Sequence, residues 1–323
     1  MDTTNTTVVT RTIREVFAMP SDAQVEIRPQ AHPLVPRNNA HFTFAKESLR
    51  KLLMWVAGAL AEPGLWVSGP TGAGKSSLIE QFSSRLNIPV FRVPCTGRTT
   101  LDDLLGGMQI SQAGGMHWVD GPIIAAMRIG GVLLLDEWDL VSPSESTGLN
   151  TILDGAPVLI KSTGEYVVAH PDFRVAATGN TFGWSDASHA GYRAVQKQNL
   201  ASLDRFASLS VTYLDQATEI NVLTKTVPDV APIAEQMVQI ANKVRGDFIS
   251  GVGTEKLSNV ISTRGLIRWA RATVAFSAVA ALDTSFVAAI EGLRFALLDK
   301  WPKHEAEAVL TAYEAITDTK VRR

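Results

Sequence analysis

The sequence is poor in the residues that hold small domains together covalently or through metal ions. Cys95 is the single cysteine among 323 residues, so the chain can form no internal disulfide and no cysteine-ligated zinc cluster. The six histidines are scattered without the spacing of a metal site. Both absences exclude a disulfide scaffold and a fold organised around cysteine-bound zinc.

Long apolar runs are also missing. The longest candidate, residues 272–282, contains Thr273 and Ser277 and stops at Asp283, so it is too short to span a membrane. The first ten residues, MDTTNTTVVT, are polar and contain no signal-peptide core. We therefore expect a cytoplasmic protein that does not interact with membranes.

Neither sign of charge is in large excess: the chain has 30 Lys and Arg residues and 32 Asp and Glu residues, which gives a formal charge of −2. This balance gives no electrostatic reason to expect a nucleic-acid partner. A hydrophobic fraction of 46% with 19% charged residues fits a globular chain with a large core. The length predicts one α/β domain and a smaller second domain.

What the sequence does contain is a glycine-rich loop in a specific context. The stretch GPTGAGKSS, residues 69–77, fits the pattern G-x-x-x-x-G-K-[ST]. An apolar run at residues 64–69 predicts a buried strand before it, and residues 75–86 predict an amphipathic helix after it. The predicted nucleotide-binding residues are Gly69, Pro70, Thr71, Gly72, Ala73, Gly74, Lys75, Ser76 and Ser77.

The chemistry of this loop suits phosphate. Its glycines let backbone N–H groups point inward at phosphate oxygens, and the helix that follows adds the partial positive charge of its N-terminus. Lys75 is expected to reach the β- and γ-phosphates, and the Ser76 hydroxyl to ligate Mg²⁺. The alternative is an ordinary strand-to-helix turn, which the flanking elements disfavour.

A second motif ends the continuous apolar run at residues 132–139, VLLLDEWD, which is typical of a central parallel strand. If this strand neighbours the strand before the loop, Asp136 lies beside Ser76 and holds Mg²⁺ through water. Glu137 can then polarise the water that attacks the γ-phosphate. The alternative is a pair of solvated acids at the end of a strand.

Two polar residues follow or precede later strands. Asn180 ends the run at residues 173–181 and can hold the attacking water or the γ-phosphate, unless it is only a turn residue. Arg205, in the stretch LDRF, can stabilise phosphoryl charge when a neighbouring subunit supplies it as an arginine finger. The alternative for Arg205 is a surface salt bridge with Asp204.

The C-terminal part offers one further candidate. Arg264, in the stretch STRGLIRWA, opens a helix that Ser262 or Thr263 can cap, and it could reach the nucleotide from a helical lid. Arg268, one turn later, is the competing residue. Both arginines would lie in a region whose periodicity is helical throughout.

The remaining patterns predict how the chain is divided into elements and domains. Residues 1–40 are predicted as an N-terminal arm, frayed to about residue 12 and extended beyond it, and residues 42–61 as a helix. Hairpins are expected at Gly114-Gly115 and near Thr163-Gly164. Strand patterns stop after about residue 215, which predicts an α/β nucleotide-binding domain over residues 41–225 and a helical lid domain over 226–323.

The order of these motifs resembles the AAA+ ATPases of the MoxR group, and within it the CobS-type subunits of aerobic cobaltochelatases. The similarity covers about residues 20–300. It implies a P-loop NTPase sheet flanked by helices, with a smaller C-terminal all-helical lid. In the family's terms, Lys75 and Ser76 form Walker A, and Asp136 and Glu137 form Walker B. Asn180 corresponds to sensor 1, Arg205 to the arginine finger and Arg264 to sensor 2.

The resemblance also implies cofactors and partners. ATP and Mg²⁺ are the expected ligands, and ATP hydrolysis the expected reaction. Relatives form homo-oligomeric rings, commonly hexamers, whose pore is lined by hairpins like the two predicted here. They work with a von Willebrand A-domain partner, which would be a separate protein because this chain lacks Asp-x-Ser-x-Ser. Remodelling of that partner, in support of cobalt chelation, is the implied function.

The chain departs from the family pattern in two places. Pro94 stands where such chains carry an Asn that restrains the Walker B glutamate, so a restraint would have to come from Thr96 or another residue. Residues 182–199, after Asn180, also diverge.

Three other functions remain open. The chain could be the NTPase motor of a nucleic-acid-processing system, although it has no basic stripe. It could be a P-loop small-molecule kinase, which would leave Arg205 and both hairpins without a role. It could also be a nucleotide-gated scaffold with negligible turnover, against which Glu137 argues.

Overall fold

The computed structural model describes residues 9–60, 62–111, 114–183, 195–250, 257–280 and 287–321. The strands are β1 (Val9–Thr12), β2 (Gln24–Ile27), β3 (Gly64–Ser68), β4 (Val90–Pro94), β5 (Gly106–Ile110), β6 (Met116–Asp120), β7 (Val132–Asp136), β8 (Val158–Ile160), β9 (Glu165–Val167), β10 (Arg174–Gly179) and β11 (Phe206–Ser210). The helices of the first two thirds are α1 (Ile13–Phe17), α2 (Lys46–Val56), α3 (Lys75–Arg85), α4 (Leu101–Leu105), α5 (Pro122–Ile129), α6 (Pro143–Gly148), α7 (Asn150–Leu153) and α8 (Leu200–Leu203). Those that follow are α9 (Gln216–Thr226), α10 (Ala234–Ser250), α11 (Thr263–Ala280), α12 (Ala288–Ala296) and α13 (Lys303–Thr317). Short 3₁₀ turns occur at Trp138–Leu140, Pro228–Val230 and Leu298–Lys300.

The centre of the molecule is a parallel five-stranded sheet in the order β11-β3-β10-β7-β4. Because side chains alternate along a strand, each strand contributes side chains to both faces of this sheet. On β7, Leu133 and Leu135 enter the core on one face, and Val132 and Leu134 enter the core on the other. Helices α2 and α3 cover the second face and α5 the first, which confirms the predicted α/β class with a sheet flanked by helices.

The N-terminal segment is more ordered than predicted. Strands β1 and β2 pair antiparallel around α1, whose first turn is closed by a capping box between Thr12 and Glu15. Phe17 then packs into the core, stacked on Phe82 at 5.6 Å and edge-on to Phe44 at 5.3 Å between ring centroids. The sequence predicted a frayed end to about residue 12 and an extended arm over residues 19–39, whereas the structure has β1 at Val9–Thr12 and β2 at Gln24–Ile27. Most of the spaced prolines that suggested the arm follow β2.

The helix expected at residues 42–61 is shorter than predicted, since α2 spans Lys46–Val56. Its C-terminus is held by Arg174, a buried arginine whose guanidinium donates to the backbone carbonyls of Trp55 at 3.0 Å and Val56 at 2.9 Å. Residues 42–45 precede the helix without regular secondary structure, and residue 61 lies outside the described part.

Both predicted hairpins are present. Strands β5 and β6 pair antiparallel next to Gly114, which has φ +84°, and β8 and β9 pair around Gly164, which has φ +73°. Exposed apolar side chains cover both hairpins, with Ile110 77% and Tyr166 67% exposed. The divergent stretch at residues 182–199 falls largely on residues 184–194, outside the described part of the chain.

The C-terminal helices have a hydrophobic core of their own, formed by residues from Leu223 to Val321. Within the described residues no strand follows β11, as the sequence predicted. The domain boundary near residue 225 stays a prediction. No helix among the described residues combines the length and apolarity needed to cross a membrane.

Candidate nucleotide-binding site

The glycine-rich loop connects the end of β3 to the start of α3. Gly72 and Gly74 have φ values of +77° and +86°, a backbone conformation that side chains with a Cβ rarely adopt. A Cβ at Gly69 would overlap the backbone carbonyl of Val211, so the loop passes close to the end of β11. Its backbone path therefore depends on glycine at three positions, and it directs the N-terminus of an 11-residue helix at the loop interior.

Lys75 lies inside this loop. Its ammonium donates to the carbonyls of Gly69 at 2.8 Å and Pro70 at 3.2 Å, and to Asn180 Oδ1 at 2.9 Å. Burial lowers the pKa of Lys75, although the carboxylates of Asp139, Asp136 and Glu137 act in the opposite direction. Among the described residues, the Lys75 ammonium donates to two carbonyls and one amide oxygen, neutral acceptors that it can exchange for phosphate oxygens.

Asn180 joins the loop to the centre of the sheet. It follows β10, and its Oδ1 accepts from Lys75 and also from Thr71 Oγ1 at 3.2 Å. Its backbone N–H donates to Asp139 Oδ2 at 2.7 Å. The structure thus brings the predicted Asn180 into direct contact with the predicted phosphate lysine.

Asp136 and Ser76 meet although their strands are not neighbours. The condition that we set, adjacency of β3 and β7, is wrong because β10 lies between them. Ser76 Oγ nevertheless donates to Asp136 Oδ1, since Ser76 lies in the first turn of α3, which begins at the carboxyl ends of the strands. Thr178 Oγ1, on the intervening strand, donates to the same oxygen at 2.7 Å.

The other oxygen of Asp136 is held by an arginine. Arg92, on β4, donates to Asp136 Oδ2 from Nε at 3.1 Å and also from Nη2, while its Nη1 donates to Glu80 at 2.9 Å. Burial alone would raise the pKa of Asp136, but the hydrogen bonds from Ser76, Thr178 and Arg92 outweigh it and lower that pKa. The carboxylate is therefore ionised at neutral pH.

Glu137 has an unusual backbone. It lies in the left-handed region with φ +61° and ψ +40°, directly after β7, and its side chain is exposed. Its N–H donates to Thr178 Oγ1 at 3.0 Å. Non-glycine residues in this region cost about 1 kcal/mol or more, and such strain gathers at functional sites.

The sequence left the restraint on Glu137 to Thr96 or another residue, and no hydrogen bond among the described residues joins Thr96 to Glu137. Pro94 pairs with Asp136 across the β4–β7 ladder, and the Thr96 hydroxyl accepts from the N–H of Arg98 at 3.2 Å. The hydrogen bond that fixes the Glu137 backbone comes instead from Thr178.

Asp139 accepts a hydrogen bond from the backbone of Asn180. Its side chain is fully buried, one oxygen accepts the N–H groups of Asn180 and Thr181, and the other has no hydrogen-bond partner among the described residues. Burial raises the pKa of this carboxyl. A Cβ at Gly179 would lie 3.0 Å from its Cγ, so the strand end and Asp139 are packed closely.

Arg205 lies away from this cluster. It immediately precedes β11, whose Phe206 pairs with Gly64 at the amino end of β3. The loop starts after the carboxyl end of the same five-residue strand, about 16 Å away at the usual rise per residue. Arg205 therefore lies at the amino ends of the strands, whereas the loop of its own chain lies at their carboxyl ends.

The partner of Arg205 is Asp154, not the Asp204 that the sequence suggested as the alternative. Nε donates to Asp154 Oδ1 at 2.6 Å and Nη2 to Oδ2 at 3.1 Å, while Nη1 donates to the carbonyl of Ala201 at 2.6 Å. This fork holds the half-buried guanidinium at the surface.

Arg264 lies close to the loop through its neighbours. It is exposed in the first turn of α11, and Arg268 is exposed one turn further on. Ser262, two residues before Arg264, caps α11 by accepting from the N–H of Gly265 at 3.0 Å. A Cβ at Gly72 would overlap the Cβ of Ser262, so the start of α11 touches the glycine-rich loop.

The residues present fit a nucleoside triphosphate with Mg²⁺. The loop offers backbone N–H groups, a helix N-terminus and a lysine, which together suit a polyphosphate. A Cβ at Gly74 would meet nothing within 4 Å, so the loop is open on that side. The hydroxyl of Ser76 and the carboxylate of Asp136 are oxygen donors of the kind that Mg²⁺ prefers.

Four residues of the site were missed by the sequence analysis: Thr178, Arg92, Asp139 and Tyr213. Thr178 is a polar residue near the carboxyl end of β10, and Arg92 is a charged residue in the middle of the otherwise apolar β4, features that could have identified them. Tyr213 donates its hydroxyl to the carbonyl of Thr71 at 2.7 Å, and nothing in the sequence connects the two.

Comparisons with known proteins agree with this geometry. Residues 64–199 match the AAA domain of the dynein-related subfamily, and residues 219–293 match the CbbQ/NirQ/NorQ C-terminal domain. The aerobic cobaltochelatase subunit CobS of Sinorhizobium sp is 30% identical over 317 residues, covering 92% of this chain and 91% of that protein.

Two further relatives match over shorter lengths. CbbQ of Hydrogenophilus thermoluteolus is 29% identical, with 63% of this chain and 71% of that protein covered. The denitrification regulatory protein NirQ of Stutzerimonas stutzeri is 30% identical, with 64% and 70% covered. The chain belongs to the MoxR-type AAA+ ATPases related to CobS, CbbQ and NirQ. Membership of this family implies nucleotide binding and ATPase activity in general.

Proposed function

We propose that this protein hydrolyses ATP with Mg²⁺ in a homo-oligomeric ring, commonly a hexamer in such proteins, and uses turnover to remodel a protein partner. The proposal rests on the positions of the predicted site residues, which lie at opposite ends of the parallel strands. At the carboxyl ends of the strands, Lys75 contacts Asn180 and Ser76 contacts Asp136. Arg205 precedes β11 at the amino ends of the strands, away from the loop of its own chain, which supports a role at the nucleotide of another subunit.

Each side chain has a specific task in this proposal. Lys75 and the loop N–H groups bind the β- and γ-phosphates, and Asn180 orients the attacking water beside Lys75. Glu137 accepts a proton from that water as its oxygen attacks phosphorus and the bond to the ADP oxygen breaks. Ser76 Oγ, and Asp136 through water, would hold Mg²⁺, whose charge would neutralise the phosphates.

Arg205 completes the site from the neighbouring subunit. To do so it must exchange Asp154 for phosphate oxygens, both of which suit the forked guanidinium. Arginine fingers of this kind accelerate hydrolysis by about 10³- to 10⁵-fold. An isolated chain should therefore bind nucleotide without turning it over.

The exposed hairpins support a protein partner. Ile110 and Met116 on the first hairpin and Tyr166 and Val168 on the second are each at least 65% exposed, an apolar display that suits contact with another protein. The chain spans almost all of the cobaltochelatase subunit, so we propose a separate von Willebrand A-domain protein as the partner and cobalt chelation as the first task to test.

Mixing two inactive variants tests the shared site. Glu137→Gln removes the proton acceptor and Arg205→Ala removes the finger, and each alone should bind ATP but lose turnover. Mixed rings contain interfaces with Glu137 from one subunit and Arg205 from the next, so part of the activity should return. Turnover in the mixture that is no higher than the summed turnover of the two variants alone would contradict the shared site.

A second measurement tests the ring and the loop separately. Light scattering on the Glu137→Gln variant should show a ring when ATP and Mg²⁺ are added, whereas a monomer under both conditions would favour the kinase or scaffold functions. Lys75→Ala should weaken nucleotide binding, because it removes the ammonium proposed to bind the β- and γ-phosphates, which lies at 2.9 Å from Asn180 Oδ1. Unchanged affinity in that variant would contradict the phosphate role of the loop.

A further inference from the structure

A buried ion pair connects the first two helices of the C-terminal region. Arg245, on α10, donates to Glu219, on α9, from Nη1 at 2.6 Å and from Nη2 at 2.9 Å. Their side chains are 3% and 0% exposed. Replacing such a pair by apolar residues is often neutral for stability, so stability alone does not account for it.

One side of the pair leads to the glycine-rich loop. The guanidinium of Arg245 lies over the ring of Tyr213, 4.4 Å from its centroid. The Tyr213 hydroxyl donates to the carbonyl of Thr71 at 2.7 Å, and Thr71 also contacts Asn180. Arg245 is thus one side chain away from the loop.

The other side leads to the start of α11. Arg245 Nε donates to the carbonyl of Ile261 at 2.8 Å, and Thr263 Oγ1 donates to Glu219 Oε1 at 2.7 Å. These contacts bracket Ser262, which touches Gly72 of the loop. Arg264 follows directly, so the ion pair fixes the backbone from which that arginine projects.

We propose that Arg245, held by Glu219, is a positioning residue that sets the start of α11, and with it Arg264, against the glycine-rich loop. Arg245 therefore controls nucleotide affinity without touching the nucleotide. A planar guanidinium can bind Glu219, donate to Ile261 and stack on Tyr213 at once, whereas a lysine ammonium cannot match this geometry. The inference rests on the proposed nucleotide-binding function of the loop.

The test is a double-mutant cycle between Arg245→Lys and Arg264→Ala in the full chain. The dissociation constant of a fluorescent ATP analogue with Mg²⁺ is measured for each variant, after circular dichroism has shown that the variant is folded. We expect Arg245→Lys to weaken binding about tenfold, in the usual range of coupling between sites. In the Arg264→Ala background the same change should have little further effect.

A matched control lies on the same helix. Lys243 forms an exposed pair with Asp247 at 2.7 Å, so Lys243→Met removes a cation from α10 without disturbing the buried pair, and affinity should not change. If Arg245→Lys does not fold, Tyr213→Phe removes only the hydroxyl that binds Thr71, and we expect it to weaken binding at least about threefold.

Several outcomes overturn the inference. Unchanged affinity in folded Arg245→Lys, or in Tyr213→Phe where Arg245→Lys does not fold, would do so while the wild-type chain binds the analogue normally. Equal losses with and without Arg264 would show that Arg245 acts through general stability instead. A wild-type chain that binds no nucleotide would overturn the proposed function itself, and the inference with it.

Discussion

The hydroxyl of Thr178 is a single group on which two catalytic candidates depend. It donates to Asp136 Oδ1 at 2.7 Å and accepts the Glu137 N–H at 3.0 Å, and the residue is fully buried. Thr178→Val keeps the shape of the side chain and removes both hydrogen bonds. The Asp136 oxygen keeps Ser76, whereas the Glu137 N–H loses the one acceptor that the described structure gives it.

The size of the effect follows from these two bonds. A hydrogen bond to a charged group contributes about 1.5–3 kcal/mol, and an unpaired backbone N–H costs about 1–3 kcal/mol. Glu137 also sits in the left-handed region, so little else holds it there once the N–H is free. If about 2–3 kcal/mol of this support acts in the transition state, the turnover rate falls about 30- to 160-fold.

The assay is phosphate release at saturating ATP, together with the dissociation constant of the analogue. We expect turnover to fall by that factor, while affinity changes less than threefold because the two described side-chain hydrogen bonds of Thr178 go to Asp136 and to the Glu137 backbone, not to the glycine-rich loop. Thr178→Ser is the matched control, since it keeps the hydroxyl and should keep most of the activity. Wild-type turnover in folded Thr178→Val would refute the assigned role of this hydroxyl.

Three further changes have clear expected outcomes. Arg174→Met should lower the free energy of unfolding by about 3 kcal/mol in urea titrations, because it strands the carbonyls at the end of α2, and a loss below about 1 kcal/mol would contradict this. Gly72→Ala should weaken nucleotide binding at least about tenfold, while Gly155→Ala, with φ +73° but open space around it, should leave binding intact. Burial raises the pKa of Cys95 to about 12, so iodoacetamide at pH 8 should label it only in unfolded protein, as mass spectrometry would show.

The parts of the fold that the sequence predicted are those set by local pattern. The run VLLLD at β7 is apolar on both faces, and such a run has few places in a domain other than a central parallel strand. The loop at residues 69–77 needed only its flanking strand and helix to be recognised. Pairing of β5 with β6 and of β8 with β9 followed from turn residues and distance along the chain.

What the sequence could not predict depends on pairing between distant segments. No local pattern states that β10 inserts between β3 and β7, so the expected adjacency was wrong even though Asp136 and Ser76 still meet. The N-terminal β1–β2 pair was missed because each strand has only four residues, and their order comes from Phe17 packing into the core. Asp154 was overlooked because it lies 51 residues from Arg205 in the chain.

The contrast between Arg205 and Arg264 gives this site its asymmetry. Arg264 belongs to a helix whose start is fixed to the glycine-rich loop of its own chain, through Ser262 and the Glu219–Arg245 pair. Arg205 is fixed by Asp154 to the far edge of the same sheet. In the proposed function, a nucleotide in the loop would be contacted by Arg264 of the same chain and, across an interface, by Arg205 of a neighbouring chain. If Arg205 acts across that interface, loss of the γ-phosphate releases two contacts that belong to different subunits, which is what a ring needs to pass a conformational change from one subunit to the next.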